Sequence, residues 1–256
     1  MKYVDEFGFW KYSSRRESKN KILFLGDSVT MGIGIENDST FAGIINNSSD
    51  SLVILNPALI GYSSHDYKNI IKKLLDDENN KFEVKNIFIF WCVNDVYSNL
   101  PVSDSPEIAN DSFLGEIVIF LRNNSYFYHL LKSIFSDRPK AYSLYDKKFY
   151  NTEDKHFKQA FADLIEIARI ANEYNLNIEL FFLPYEYQLR DNHFEQRSFP
   201  QKLLLENLKN TKIKVHDCSA AFNIYKNVKD YYLFGDGIHF SNRGHKTLVK
   251  HIKRFL

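Results

Sequence analysis

Five short stretches of the chain are continuously apolar rather than alternating: KILFLG (21–26), SLVILN (51–56), VKNIFIFWCV (84–93), NIELFFLP (177–184) and KIKVHDC (212–218). Continuous apolar runs of this length predict strands buried on both faces, as in a parallel sheet. Between them the period changes to that of a helix. In DYKNIIKKLLDD (66–77), Ile70, Ile71, Leu74 and Leu75 fall on one face and lysines elsewhere. In HFKQAFADLIEIARIANEYN (156–175) the stripe is Phe157, Phe161, Leu164, Ile165, Ala168 and Ala171. A last helix is predicted from about Ser241, a suitable cap, to Arg254.

Strands alternating with helices predict an α/β fold, with a mostly parallel five-stranded sheet covered on both faces. In such sheets ligands bind beyond the carboxyl ends of the strands. One stretch departs from the pattern. A long connection, taken as an insertion around 98–152, separates the third and fourth strands. It opens with a polar, Pro-containing loop (98–107) and continues into an apolar helix-like segment (113–135). That segment reads first as an extra helix packed on the sheet, and second as a lid or acyl-binding wall. No linker divides residues 1–256, which predicts a single domain.

Composition narrows the class. Hydrophobic residues make up 44% and charged residues 25% of the chain, as in ordinary globular proteins. A net charge of +1 lacks the concentrated basic excess of nucleic-acid binders. The basic run KYSSRRESKNK (11–21) reads as a solvated segment. The 22 Phe and 16 Tyr are read as a compositional bias, not as a binding surface. Cys92 and Cys218 read as buried free thiols. The N-terminus has no signal-peptide core, and no apolar run reaches the roughly 18–20 residues that span a bilayer. A cytoplasmic protein without membrane insertion is expected.

Four segments carry candidate chemistry. FLGDSVTMG (24–32) ends a strand at Leu25 and follows it with Gly26, Asp27 and Ser28. Glycine permits a tight turn and close approach. A helical turn starting at Ser28 would aim backbone N–H groups at the same spot. The plainer reading is a serine that caps a helix. FGDGIHFSNRGH (234–245) puts Asp236 and His239 three apart in a Gly-rich turn, where a carboxylate can fix an imidazole's tautomer. WCVNDVY (91–97) brings Asn94 and Asp95 directly off the most apolar strand. LNPALIGYSSHDY (55–67) has Gly61 after the second strand. A surface ion pair and simple turns explain the last three equally well when each is taken alone.

Taken in chain order, these segments resemble the sequence blocks of the SGNH (GDSL-type) hydrolases. GDSVTMG is similar to the first block, with Ser28 at the nucleophile position. Gly61 and Asn94 fall at the glycine and asparagine of the second and third blocks. Asp236 and His239 match the DxxH of the last. The ENDSTFAGII stretch (36–45) also looks like bacterial members. One departure is Cys92, which stands where the third block usually has glycine.

The resemblance implies a three-layer α/β/α sandwich of flavodoxin-like topology. It also implies an ester hydrolase with Ser28, Asp236 and His239 as catalytic triad. The Ser28 and Gly61 N–H groups and the Asn94 amide would form the oxyanion hole. It implies an acylated small molecule or carbohydrate as substrate, and neither cofactor nor metal. Acyl transfer to a sugar hydroxyl would use the same residues, and a non-catalytic binding module could keep the same fold.

The remaining polar residues near strand ends are weaker candidates. Asp27, Asp95, Tyr185 and Arg190, with Tyr187 and His193 in the loop 184–200, are expected as possible substrate contacts, each with an ordinary loop role as the alternative. GxSxG is absent around Ser28, which disfavours an α/β-hydrolase elbow. His239 and His245 lack a convincing third ligand for a metal, and His245 reads as a helix residue supporting the last loop.

Overall fold

The computed structural model describes residues 4–14, 18, 20–75, 84–98, 137–190, 197–222 and 227–256. The apolar runs form strands β1 (Asn20–Gly26), β2 (Leu52–Leu55), β3 (Asn86–Trp91), β4 (Asn177–Phe182) and β5 (Lys214–Asp217). All four pairings are parallel, in the order β2-β1-β3-β4-β5. The helices are α1 (Ser28–Met31), α2 (Phe41–Ser48), α3 (Ser64–Leu75), α4 (Arg138–Lys147), α5 (Lys155–Glu173), α6 (Glu186–Leu189), α7 (Phe199–Leu208) and α8 (Asn242–Ile252). This is the strand order of doubly wound, flavodoxin-like sheets.

The order fixes the layers. From β1 the chain steps outward to β2, then returns past β1 to β3 and continues in the opposite direction. Right-handed crossovers put the helix of the first step on one face and the later ones on the other. Accordingly α2 packs with α8, and α3 packs with α5. The direction reverses between β1 and β3, which makes their carboxyl ends the switch point where such sheets bind ligands.

Much of the aromatic content is core. Phe24, Phe88, Phe90 and Phe181 run across adjacent strands, with centroid separations of 4.7–5.7 Å between Phe24, Phe88 and Phe90 for the nearest pairs and 4.9–5.3 Å to Phe181. Phe41 of α2 covers the row, 4.7 Å from Phe90. Cys92 and Cys218 are buried free thiols.

The helices keep their predicted places with one change. On α3, Ile71 is buried and Ile70, Leu74 and Leu75 are half-buried. On α5 the buried stripe is Phe157, Ala160, Leu164, Ile167 and Ala171, while Ile165 faces outward at 41% exposure. Asp163 is buried on the same helix because Lys68 of α3 reaches it. Predicting Ile165 inside assumed a purely apolar seam, and the α3–α5 seam contains an ion pair instead. The predicted segment 113–135 and most of the loop 98–107 lie outside the described residues. No described helix is long and apolar enough to cross a membrane.

Gly26 ends β1 for reasons of space. A Cβ there would sit 1.9 Å from Thr30 Oγ1 and 2.5 Å from Thr30 Cβ, both on the first helical turn. Its requirement is room for α1, and its φ is not positive. Gly26→Ala should therefore destabilise the fold by about 1–3 kcal/mol, the usual range for overpacking. Urea denaturation measures this, and a cost below about 0.5 kcal/mol would refute the packing argument.

Candidate active site

Ser28 is the first residue of α1, but it is not the cap. Asp27 caps the helix, with its Oδ1 accepting the Val29 N–H at 2.9 Å. The Ser28 side chain is therefore released from capping. Gly32 ends the turn in the left-handed conformation, with φ 85°. Ser28 is 7% exposed at the switch point.

His239 and Asp236 arrive on the chain between β5 and α8. Tyr232 and Phe240 form an antiparallel bridge, and Leu233 N–H donates to His239 O at 2.9 Å. The bridge pinches off the turn LFGDGIH. Within it, Asp236 Oδ1 accepts the backbone N–H groups of Ile238 and His239 at 2.8 and 2.7 Å. Gly235 and Gly237 flank it with φ of 68° and 77°. A Cβ on Gly237 would meet Pro139 of α4 at 2.3 Å, so the turn packs directly on that helix.

The three side chains lie in line. His239 Nδ1 is 2.9 Å from Asp236 Oδ2, and His239 Nε2 is 2.9 Å from Ser28 Oγ. Burial pushes the Asp236 carboxyl up, but bonds from the His239 ring and backbone and from Ile238 outweigh it and leave it below the usual value. An ionised carboxylate beside Nδ1 holds the ring with Nδ1 as donor and Nε2 as acceptor. Chemically, such a line can take a proton from the serine hydroxyl.

The third and second segments end nearby in the sheet order. Beyond β3, residues Val93–Val96 form a single 3-10 turn. Asn94 Nδ2 donates to Asp27 Oδ2 at 3.1 Å, which ties it to the residue next to Ser28. Cys92 has φ −97° and ψ 164°, extended backbone open to any residue. The glycine expected there is not needed for this conformation. Gly61 lies exposed after β2 with φ 79°, and open space surrounds its Cα. Asn56, which sequence reasoning missed, bolts that loop in place. It is buried, donates to the Tyr12 hydroxyl at 2.9 Å, and accepts the Ala58 N–H at 3.0 Å.

Five of the expected substrate contacts make contacts within the protein. Asp27 is fully buried beneath Ser28, accepting from Asn94 and Val29, and its Oδ2 lies 3.2 Å from the Ser28 oxygen, whose one proton has the closer His239 Nε2 as acceptor. Asp95 is fully buried too, accepting from the Tyr67 hydroxyl at 2.7 Å and the Cys92 N–H at 3.0 Å. Burial and the nearby Asp27 carboxyl push it well above the usual carboxylate range. The Tyr185 hydroxyl is enclosed between Asn94 and Asp146. Arg190 forks onto Glu186 and Asp137. The ring of Tyr187 stacks with Arg197, 4.2 Å from centroid to guanidinium carbon. Asp27, Tyr185 and Arg190 thus have their polar side-chain atoms engaged inside the protein, while Asp95 Oδ1 is buried without a partner among the described residues. His193 lies outside the described residues.

His245 supports the loop as expected, from a buried position on α8. Its Nδ1 accepts the Phe41 N–H at 3.1 Å. Burial, with the nearby His239 as a second cause, lowers it from 6.5 to about 3. The folded state therefore keeps it neutral where the unfolded chain protonates it. The stability this contributes is present above about pH 6.5 and lost as pH falls toward 3, by about 1.4 kcal/mol per pH unit. In His245→Asn, which keeps an acceptor for Phe41, the slope of unfolding free energy between pH 6 and 4 should be shallower by about one proton. Urea melts across that range test it, and an unchanged slope would contradict a buried neutral imidazole.

Comparison with protein-family models and with curated protein sequences finds no match. Solved structures do match in fold. A lipolytic protein of the G-D-S-L family from Veillonella parvula DSM 2008 superposes with a TM-score of 0.52 at 13% identity, over 91% of this chain and 96% of that one. TesA gives 0.50 at 12% identity, over 92% and 97%. An acetyl xylan esterase gives 0.52 at 11% identity, over 92% and 99%. The chain thus has the α/β fold found in G-D-S-L lipolytic proteins.

Proposed function

We propose that this protein is a serine ester hydrolase. The observation that carries the reading is the continuous line from Asp236 through His239 to the Ser28 hydroxyl, at the switch point of a parallel sheet. In this mechanism His239 takes the proton of Ser28 as the oxygen attacks an acyl carbonyl. Asp236 orients the ring and stabilises the imidazolium. The alcohol leaves with the proton held by His239, and water then cleaves the acyl-enzyme by the same route.

The carbonyl oxygen gains negative charge at each attack. Its proposed donors are the backbone N–H groups of Ser28 and Gly61 and the Asn94 amide. Nδ2 carries two N–H groups, and Asp27 uses one of them. The substrate class is an acyl ester of a small molecule or carbohydrate. An acetyl xylan esterase shares the fold, in keeping with a short acyl group.

Hydrolysis of p-nitrophenyl acetate tests the reading. Ser28→Ala should fall to the rate of buffer alone, and a rate equal to wild type would sink the proposal. Asn94→Ala should lower kcat by roughly 100-fold, about 3 kcal/mol of transition-state stabilisation, which is typical of one oxyanion donor. With sugar hydroxyls present as acceptors, hydrolysis should outrun acyl transfer; the reverse ratio would make the protein an acyltransferase.

A further inference from the structure

Asp146 lies behind the site, next to the last residue of α4, and is 4% exposed. Each of its oxygens is met by a phenol. Tyr97 donates to Oδ1 at 2.7 Å, and the Tyr185 oxygen is 2.8 Å from Oδ2. The same Tyr185 oxygen is 2.9 Å from Asn94 Oδ1. A phenol has one proton to give, and here it faces two oxygens.

The far side of Asn94 decides the direction. Its Nδ2 faces the Asp27 carboxylate, so Oδ1 must face Tyr185. One proton count satisfies all three contacts. Asp146 carries a proton and donates to Tyr185; Tyr185 donates to Asn94; Asn94 donates to Asp27. With Asp146 ionised, the Tyr185 proton turns toward it, and Asn94 Oδ1 is left against an oxygen lone pair. The amide then loses the contact that holds one end, and an unmade buried bond is costly.

The surroundings favour the protonated form. Burial raises Asp146 to about 6, against the lowering effect of the Tyr97 and Tyr185 bonds. The groups whose ionisation it opposes are Tyr97, Tyr150, Tyr185, Cys92 and Asp95, and none is a cation. Its place at the carboxyl end of a helix adds a partial negative charge.

We propose that Asp146 is a positioning residue that, through the Tyr185 hydroxyl, holds the Asn94 amide in the orientation needed to stabilise the oxyanion. This rests on the oxyanion role proposed for Asn94. Asp146 itself touches no substrate. Asparagine at position 146 can replace the protonated acid, because its amide donates to Tyr185 while its carbonyl accepts from Tyr97. Alanine removes both contacts.

The test is a set of kcat and KM measurements on p-nitrophenyl acetate at pH 5.5, below the value of about 6 to which burial raises Asp146. Asp146→Ala and Tyr185→Phe should each lose about tenfold in kcat, with KM within about twofold of wild type. Asp146→Asn should stay within about twofold of wild-type kcat. Neither loss should appear when the change is made on top of Asn94→Ala, since coupled residues are not additive. Tyr185→Phe keeps the ring, so it decides the matter if Asp146→Ala does not fold. Losses that persist in the Asn94→Ala background, equal losses in Asp146→Asn and Asp146→Ala, or wild-type kcat in Tyr185→Phe would each overturn the positioning role and leave the oxyanion role standing. Wild-type kcat in Asn94→Ala alone would overturn the oxyanion role, and this inference with it.

Discussion

The contact between the Ser28 hydroxyl and the His239 ring joins residues 211 positions apart, and it exists because of strand order. Ser28 leaves the end of β1, a central strand. His239 sits on the connection from β5, the outermost strand on the other side, to α8. That connection must cross back over the carboxyl edge of the sheet for α8 to pack beside α2. The crossing brings the Gly-rich turn past the switch point. Burying the α2–α8 seam thus brings the hydroxyl and the ring together, and the bridge at Tyr232 and Phe240 fixes the turn that carries the ring.

Beneath that contact lies a layer of buried acid. Asp27, Asp95 and Asp146 are all inside, where an isolated carboxylate is costly unless it is bonded or protonated. Each solves the problem differently. Asp27 accepts a backbone N–H and an amide N–H. Asp95 and Asp146 are pushed upward by burial; Asp95 accepts from one phenol and one backbone N–H, and Asp146 is met by two phenols. A layer built this way is rigid, because moving any member strands another. It can therefore hold short polar groups at the surface in fixed directions.

The sheet was legible in the sequence because parallel strands are buried on both faces and read as unbroken apolar runs. Ser28 stood out for a related reason, as a polar residue directly after such a run and beside a glycine, whereas Asp236 and His239 lie well beyond β5 and stood out as a carboxylate and an imidazole three apart in a Gly-rich turn. Position after a strand does not give direction, however. Asp27 and Asp95 stand at the same edge as Ser28 and Asn94, yet both point inward, because alternate residues in a tight turn face opposite ways. Asp146 gave no signal at all. It lies near the end of a helix in an ordinary polar stretch, and its partners are 39 and 49 residues away in sequence. The Lys68–Asp163 pair in the α3–α5 seam is a choice of partner across 95 residues, invisible to periodicity.

Helix α4 connects the two halves of the site. At its start, Pro139 fills the space left by Gly237 beside the His239 turn. At its end, Asp146 reaches Tyr185 and Tyr97, which flank Asn94. Asp137 caps the helix and pairs with Arg190 on the chain after β4. Glu186 accepts from the same arginine, while its backbone N–H binds Gly237 O at 2.8 Å. Arg190 therefore locks α4, α6 and the Gly237 turn into one body. A displacement of α4 would disturb the His239 turn and the Tyr185–Asn94 contact together, so whatever sets the position of α4 also sets the alignment of these two groups.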